Sequence, residues 1–200
     1  MQRIPSTSDL ALHRGRVPKI WQKEIESVLI SETHLRTRVK ELAAEITRDY
    51  AHSEPVVISL LNGSTMFMAD LVRQIPLPIE LDFVAASSYG TRTTPRRVRF
   101  TKKVSIDIRG REVLLLDDIL DSGQTLWETR RQLRTLKPYR IKTCVLLDKP
   151  SRRIIRIGAD YVGFTIPNLF VVGYGMDYAH QFRNLPFVGI LCPELFSNEP

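Results

Sequence analysis

An open α/β sheet, mainly parallel and flanked by helices, is the fold this sequence predicts. Three apolar runs of strand length, 56–61, 113–116 and 141–147, are separated by segments of helical period. Nearly unbroken apolar runs suit parallel strands buried on both faces. Each run also ends abruptly, in LLNGS, LLLDDILDSGQT and VLLDKPSRR. In open α/β sheets ligands sit beyond the carboxyl ends of the strands, so these three ends are expected to open on one side.

The elements follow in chain order. Residues 1–20 mix Pro, Ser, Thr and Arg without periodicity and read as a flexible arm. Leu35, Val39, Leu42 and Ile46 recur at helical spacing, with Ser31 placed to cap a helix over 31–51. Pro55 ends that segment, and Val56–Leu61 is a strand turned by Asn62-Gly63-Ser64. Residues 65–74 suit a helix and 79–89 a strand. Val104, Ile106 and Ile108 alternate, which suggests antiparallel strands within 98–108. A helix over 125–136 is closed by Pro138, and 141–147 is the next strand. About 160–200 breaks into short strands and turns rich in glycine and aromatics. With no repeat and no clean linker, all 200 residues read as one domain.

Apolar residues make up 43% of the chain, enough for a full core. The net charge of +7 suits either nucleic acid or an anionic small substrate. Cys144 and Cys192 offer neither a disulfide framework nor a metal-site spacing. No stretch approaches the length of a membrane span, and a cytoplasmic protein is expected.

The chemistry concentrates in residues 113–125, VLLLDDILDSGQT. A helix cap alone needs one acid or hydroxyl; here three acids and two hydroxyls surround a glycine. The SGQT run opens a helix and suits a phosphate cradle of backbone N–H groups. It is neither a Walker loop nor a G-x-G-x-x-G dinucleotide loop. Taken alone, Lys149 reads as a solvated lysine in a turn and Phe170 as a core aromatic. Arg183 would otherwise be a surface charge.

Residues 113–125 resemble the PRPP-binding signature of the type I phosphoribosyltransferases. SSYG at 87–90, LLDKPSRR at 146–153, DYVGFTIPNLFVVGYGMDY at 160–178 and FRNLP at 182–186 are similar to the hypoxanthine (hypoxanthine-guanine) branch. The resemblance runs in order over about 24–192. It implies the type I phosphoribosyltransferase fold, with a small hood from the terminal segments and a mobile antiparallel lid over 88–101 based on Ser88 and Tyr89. It implies that Asp117 and Asp118 meet the ribose hydroxyls and the Mg²⁺ shell of PRPP. Ser122, Gly123, Gln124 and Thr125 would hold the 5′-phosphate. Leu61, Asn62 and Gly63 would form a pyrophosphate turn, often with a non-proline cis peptide, and Arg183 would bind pyrophosphate. Asp121 would be the general acid or base at purine N7. Lys149 would donate to O6 of a 6-oxopurine, Phe170 would stack on the base, and Val171 and Asp177 would offer backbone carbonyls. Asp177 would also contact Mg²⁺. Relatives of this kind are homodimers or homotetramers.

Asn62 and Gln124 stand where relatives often carry basic residues, and the lid segment TRTTPRRVRF is unusually basic. The implied activity is purine salvage: hypoxanthine or guanine plus PRPP gives IMP or GMP plus pyrophosphate, with Mg²⁺ as cofactor. The alternatives are a regulatory RNA-binding protein on the same fold, suggested by the basic lid, and a xanthine-preferring transferase. A nucleic-acid partner is not expected, because the base-binding set is present in full.

Overall fold

The computed structural model describes residues 16–89 and 97–195, with side chains for 16–86 and 99–195. Most of the arm (1–15) and the tip of the lid segment (90–96) lie outside the described residues. The three apolar runs form strands β2 (Val56–Leu61), β5 (Glu112–Leu120) and β6 (Arg140–Asp148). With β3 (Glu80–Tyr89), β4 (Arg97–Lys102) and β7 (Tyr161–Thr165) they build a six-stranded sheet in the order β4-β3-β2-β5-β6-β7. All pairings are parallel except β3 with β4. The mainly parallel α/β sheet read from the sequence is therefore the observed architecture.

Alternation within the strands divides the core between two faces. Val57, Leu114 and Leu116 face helices α1 (Glu32–Asp49) and α2 (Thr65–Val72), packing with Leu35, Val39, Leu42, Ile46, Phe67 and Leu71. Val56, Ile58, Val113 and Leu115 face helix α3 (Gln124–Thr135), with Leu126 and Leu133. Ser31 caps α1 as expected, its side chain accepting from the His34 N–H. The helices end one or two residues short of the sequence-based bounds, within the usual fraying of helix ends.

The structure adds one strand and corrects one expectation. Strand β1 (Ile25–Ile30) was not read from the sequence. It pairs with β9 (Val188–Leu191), which pairs with β8 (Val171–Val172), giving an antiparallel three-stranded hood. Its partners lie some 160 residues downstream, so no local signal marks the pairing.

The correction concerns residues 103–108, which are not strand. Val104, Ile106 and Ile108 still pack against the α3 face. Their backbone, however, turns onto the buried Asp82, whose Oδ2 accepts from the Ser105 and Ile106 N–H groups at 2.6 and 3.1 Å. A carboxylate replaces a neighbouring strand as the hydrogen-bond partner.

Candidate active site

The site forms where β2, β5 and β6 end together, as their common direction requires. A cavity of about 420 Å³ is lined by Leu61, Asn62 and Gly63 at the end of β2, by 117–123 and Thr125 at the end of β5 and beyond it, and by Asp177 and Arg183. A second cavity, about 590 Å³, adjoins it and is lined by Lys149, Arg152, Phe170, Val171 and Met176, among others. Asp118, Ile119, Asp121 and Asp177 line both. The two cavities thus share a wall of three carboxylates.

The first cavity is polar. Asp117 is buried, 7% exposed. Burial, with the Asp118 carboxylate beside it, raises its pKa well above the usual carboxylate range. Burial raises Asp118 as well, against the stabilising effects of hydrogen bonding to Asp117, of the Ile119 N–H and of the Arg183 charge. Two adjacent acids shielded from water hold two negative charges poorly without a cation beside them.

The Leu61–Asn62 peptide is cis, as the resemblance implied. The turn it opens comes so close to Asp118 that a Cβ on Gly63 would stand 1.8 Å from Asp118 Oδ2. Any side chain at that position must displace the Asp118 carboxylate.

The cradle is built by α3 and the segment after β6. Gly123 caps α3 in the left-handed region (φ +85°), open to glycine at little cost. Ser122 O accepts from the Ile154 and Ile155 N–H groups at 2.9 and 3.0 Å. Arg153 donates to the carbonyls of Leu120 and Asp121 and pairs with Asp148. This return segment fixes the loop from behind and leaves the N-terminus of α3 open toward the cavity. Ser122, Gly123 and Thr125 line the cavity and Gln124 does not.

The second cavity is mainly apolar. Lys149 directly follows β6 and is 6% exposed. Its ammonium has no hydrogen bond or ion pair among the described residues. Burial lowers its pKa, Asp121 raises it and Arg152 lowers it further. Phe170, 40% exposed, meets Tyr178 edge-on with ring centroids 5.6 Å apart. The Phe170 carbonyl accepts from the Leu191 N–H at 3.0 Å, toward β9. Alternation along β8 then turns the Val171 carbonyl to the free edge of the hood.

Asp177 and Arg183 meet at the seam. Their side chains form an ion pair at 2.7 Å. Arg183 also donates to Gly175 O at 2.7 Å, and Asp177 accepts from the His180 N–H at 3.0 Å. Asp117, Asp118 and Asp177 are not gathered into a preformed metal cluster among the described residues. Ser88 and Tyr89 pair through their backbones with Val98 and Arg97; their side chains lie outside the described residues.

Arg152 and Arg153 are the site residues that sequence reasoning missed. They stand in the quoted run LLDKPSRR, but only the fold turns them back onto β5.

Comparison with known proteins agrees with this geometry. The family model described as phosphoribosyl transferase domain matches residues 31–179. The hypoxanthine phosphoribosyltransferase of Haemophilus influenzae is 49% identical over 172 residues, 84% of this chain and 96% of that protein. The bifunctional protein TilS/HprT of Listeria innocua is 45% identical over 175 residues, 87% of this chain; the chain spans 27% of that longer protein. A crystal structure of a hypoxanthine phosphoribosyltransferase from Staphylococcus aureus superposes with a TM-score of 0.87 at 38% identity, covering 92% of this chain and 100% of the other. The chain belongs to the phosphoribosyl transferase domain family, in its hypoxanthine (hypoxanthine-guanine) phosphoribosyltransferase branch.

Proposed function

We propose that the protein joins hypoxanthine or guanine to the phosphoribosyl group of PRPP, giving IMP or GMP and pyrophosphate. The observation that carries this reading is the pair of adjoining cavities, one polar and acid-walled, the other holding a desolvated lysine and an exposed aromatic face.

Each residue then has a task set by its chemistry. The N-terminus of α3, with Ser122, Gly123 and Thr125, takes the 5′-phosphate. The turn at 61–63 and Arg183 face the pyrophosphate. Phe170 presents its face to the purine. Lys149, a donor only, prefers the O6 acceptor of a 6-oxopurine to the amino donor of adenine. The outward Val171 carbonyl accepts from the N2 amino group of guanine, as does that of Asp177.

In the reaction the C1′–O bond to pyrophosphate breaks and its electron pair leaves with pyrophosphate. The N9–C1′ bond forms, and Asp121, on the wall common to both cavities, takes the N7 proton. Asp117 and Asp118 suit Mg²⁺, which binds through one or two carboxylates and completes its shell with water and substrate phosphates. Bound there, the ion would neutralise charge developing on the leaving pyrophosphate. Asp177, held by Arg183, would add a further oxygen toward the ion.

The test is a spectrophotometric assay with PRPP, Mg²⁺ and each of hypoxanthine, guanine, xanthine and adenine. Turnover of the first two and little of adenine is expected; turnover of none overturns the reading. Asp121→Asn should lower kcat about a hundredfold while leaving KM for PRPP within about threefold. Unchanged kcat would remove Asp121 from the proton transfer.

A further inference from the structure

The segment that returns from Lys149 places two consecutive arginines on Asp121 from different directions. Lys149 O accepts from the Arg152 N–H at 3.1 Å in a 3₁₀ turn over 150–152. That turn carries Arg152 over the end of β5, where its Nε stands 3.3 Å from Asp121 Oδ1. Arg153 holds the same residue by its backbone carbonyl. Arg152 also lines the base cavity beside Lys149.

The two contacts do different work. Arg153, only 15% exposed at its side chain, secures the loop. Arg152 is 55% exposed and its ion pair is open to water, so the contact adds little to stability. What it does supply is direction. Asp121 emerges from a loop, and no other ion pair or side-chain hydrogen bond holds its carboxylate among the described residues. A carboxylate free to swing toward solvent would meet N7 in only a fraction of encounters, and misplacement of this size lowers rates steeply.

We propose that Arg152 is a positioning residue: its guanidinium holds the Asp121 carboxylate over the base cavity in the orientation that proton transfer at N7 requires. This rests on the reading of Asp121 as the proton carrier. Arg152 touches no reacting atom and acts only through Asp121.

Four variants test this against wild type: Arg152→Gln, Arg152→Lys, Asp121→Asn and the double variant Arg152→Gln/Asp121→Asn. Steady-state kinetics with hypoxanthine and PRPP and thermal melting are measured for each. Arg152→Gln is expected to lower kcat about tenfold, with KM for PRPP within about twofold and an unchanged melting temperature. Arg152→Lys keeps a cation near Asp121 and is expected to recover most of that loss. In the Asp121→Asn background, Arg152→Gln is expected to change kcat no further. A second tenfold loss in that background would show that Arg152 acts elsewhere and would overturn the proposal. So would a kcat for Arg152→Gln equal to wild type. If Asp121→Asn alone keeps wild-type kcat, the proton-carrier reading fails instead, a result read from that variant and not from Arg152.

Discussion

Lys149 is held where a lysine is costly to hold. It is 6% exposed in the cavity lined by Ile119, Leu169 and Phe170, with no protein acceptor for the ammonium among the described residues. A polar group left unpaired in the free enzyme and satisfied by the ligand trades stability for recognition. Lys149→Met should therefore raise the melting temperature by about 2 °C, and lower kcat/KM for hypoxanthine by about tenfold to a hundredfold, the value of a hydrogen bond to a charged group. Thermal melting beside steady-state kinetics checks both signs, and a fall in both would assign Lys149 a structural role. Gly63 offers a complementary case. A methyl group there must displace the Asp118 carboxylate, while its backbone has no positive φ to strain. Gly63→Ala should keep the fold and lower kcat/KM for PRPP at least about tenfold.

At the scale of elements, the β3–β4 edge and the chain after it depend on one buried acid. Asp82 accepts from Lys102 Nζ at 2.7 Å and from the N–H groups of Phe83, Ser105 and Ile106. Burial alone would raise its pKa; these donors outweigh burial and hold it well below the usual carboxylate range. The sign follows from linkage. A carboxylate depressed in the folded state stabilises above its unfolded pKa of about 3.9, and that contribution fades as pH falls below about 4. Urea unfolding should show wild-type stability dropping between pH 4 and pH 2. Asp82→Ala should cost about 3 kcal/mol at pH 7 and flatten that drop. The alternation of Val104, Ile106 and Ile108 correctly marked an apolar face. It could not show that a carboxylate from another strand would take the place of a ladder.

For the molecule as a whole, the base cavity depends on a hood with its own small core: Ile25, Val28, Val172, Phe182, Leu185, Phe187 and Leu191. Trp21 meets Phe182 edge-on at 5.8 Å. Most of the PRPP side rests instead on the main sheet, with Asp177 and Arg183 added from the chain between β8 and β9, so the two halves of the site should fail largely separately. Phe182→Ala should loosen the hood by about 3 kcal/mol. It should raise KM for the purine more than KM for PRPP, and speed hydrogen exchange in β1, β8 and β9 while β2, β5 and β6 stay protected. Equal effects on all six strands would mean the hood and sheet unfold as one unit. Among the described residues no helix is long and apolar enough to cross a membrane.

By itself the sequence determined the central sheet and the acid-rich loop, because both are local patterns. Val113–Leu116 reads as a strand buried on two faces, and three acids before SGQT exceed what a helix cap requires. Lys149, Phe170 and Asp177 were found through resemblance; composition alone would have left them as surface or core residues. Tertiary structure decided the rest, since it depends on contacts between distant residues. It paired Ile25–Ile30 with a strand near the far end of the chain, turned residues 103–108 onto Asp82, and brought Arg152 back to Asp121. It also tied Asp177 to Arg183, two residues the sequence had given separate tasks. Periodicity records which face of an element is buried, but not which distant group that face will meet.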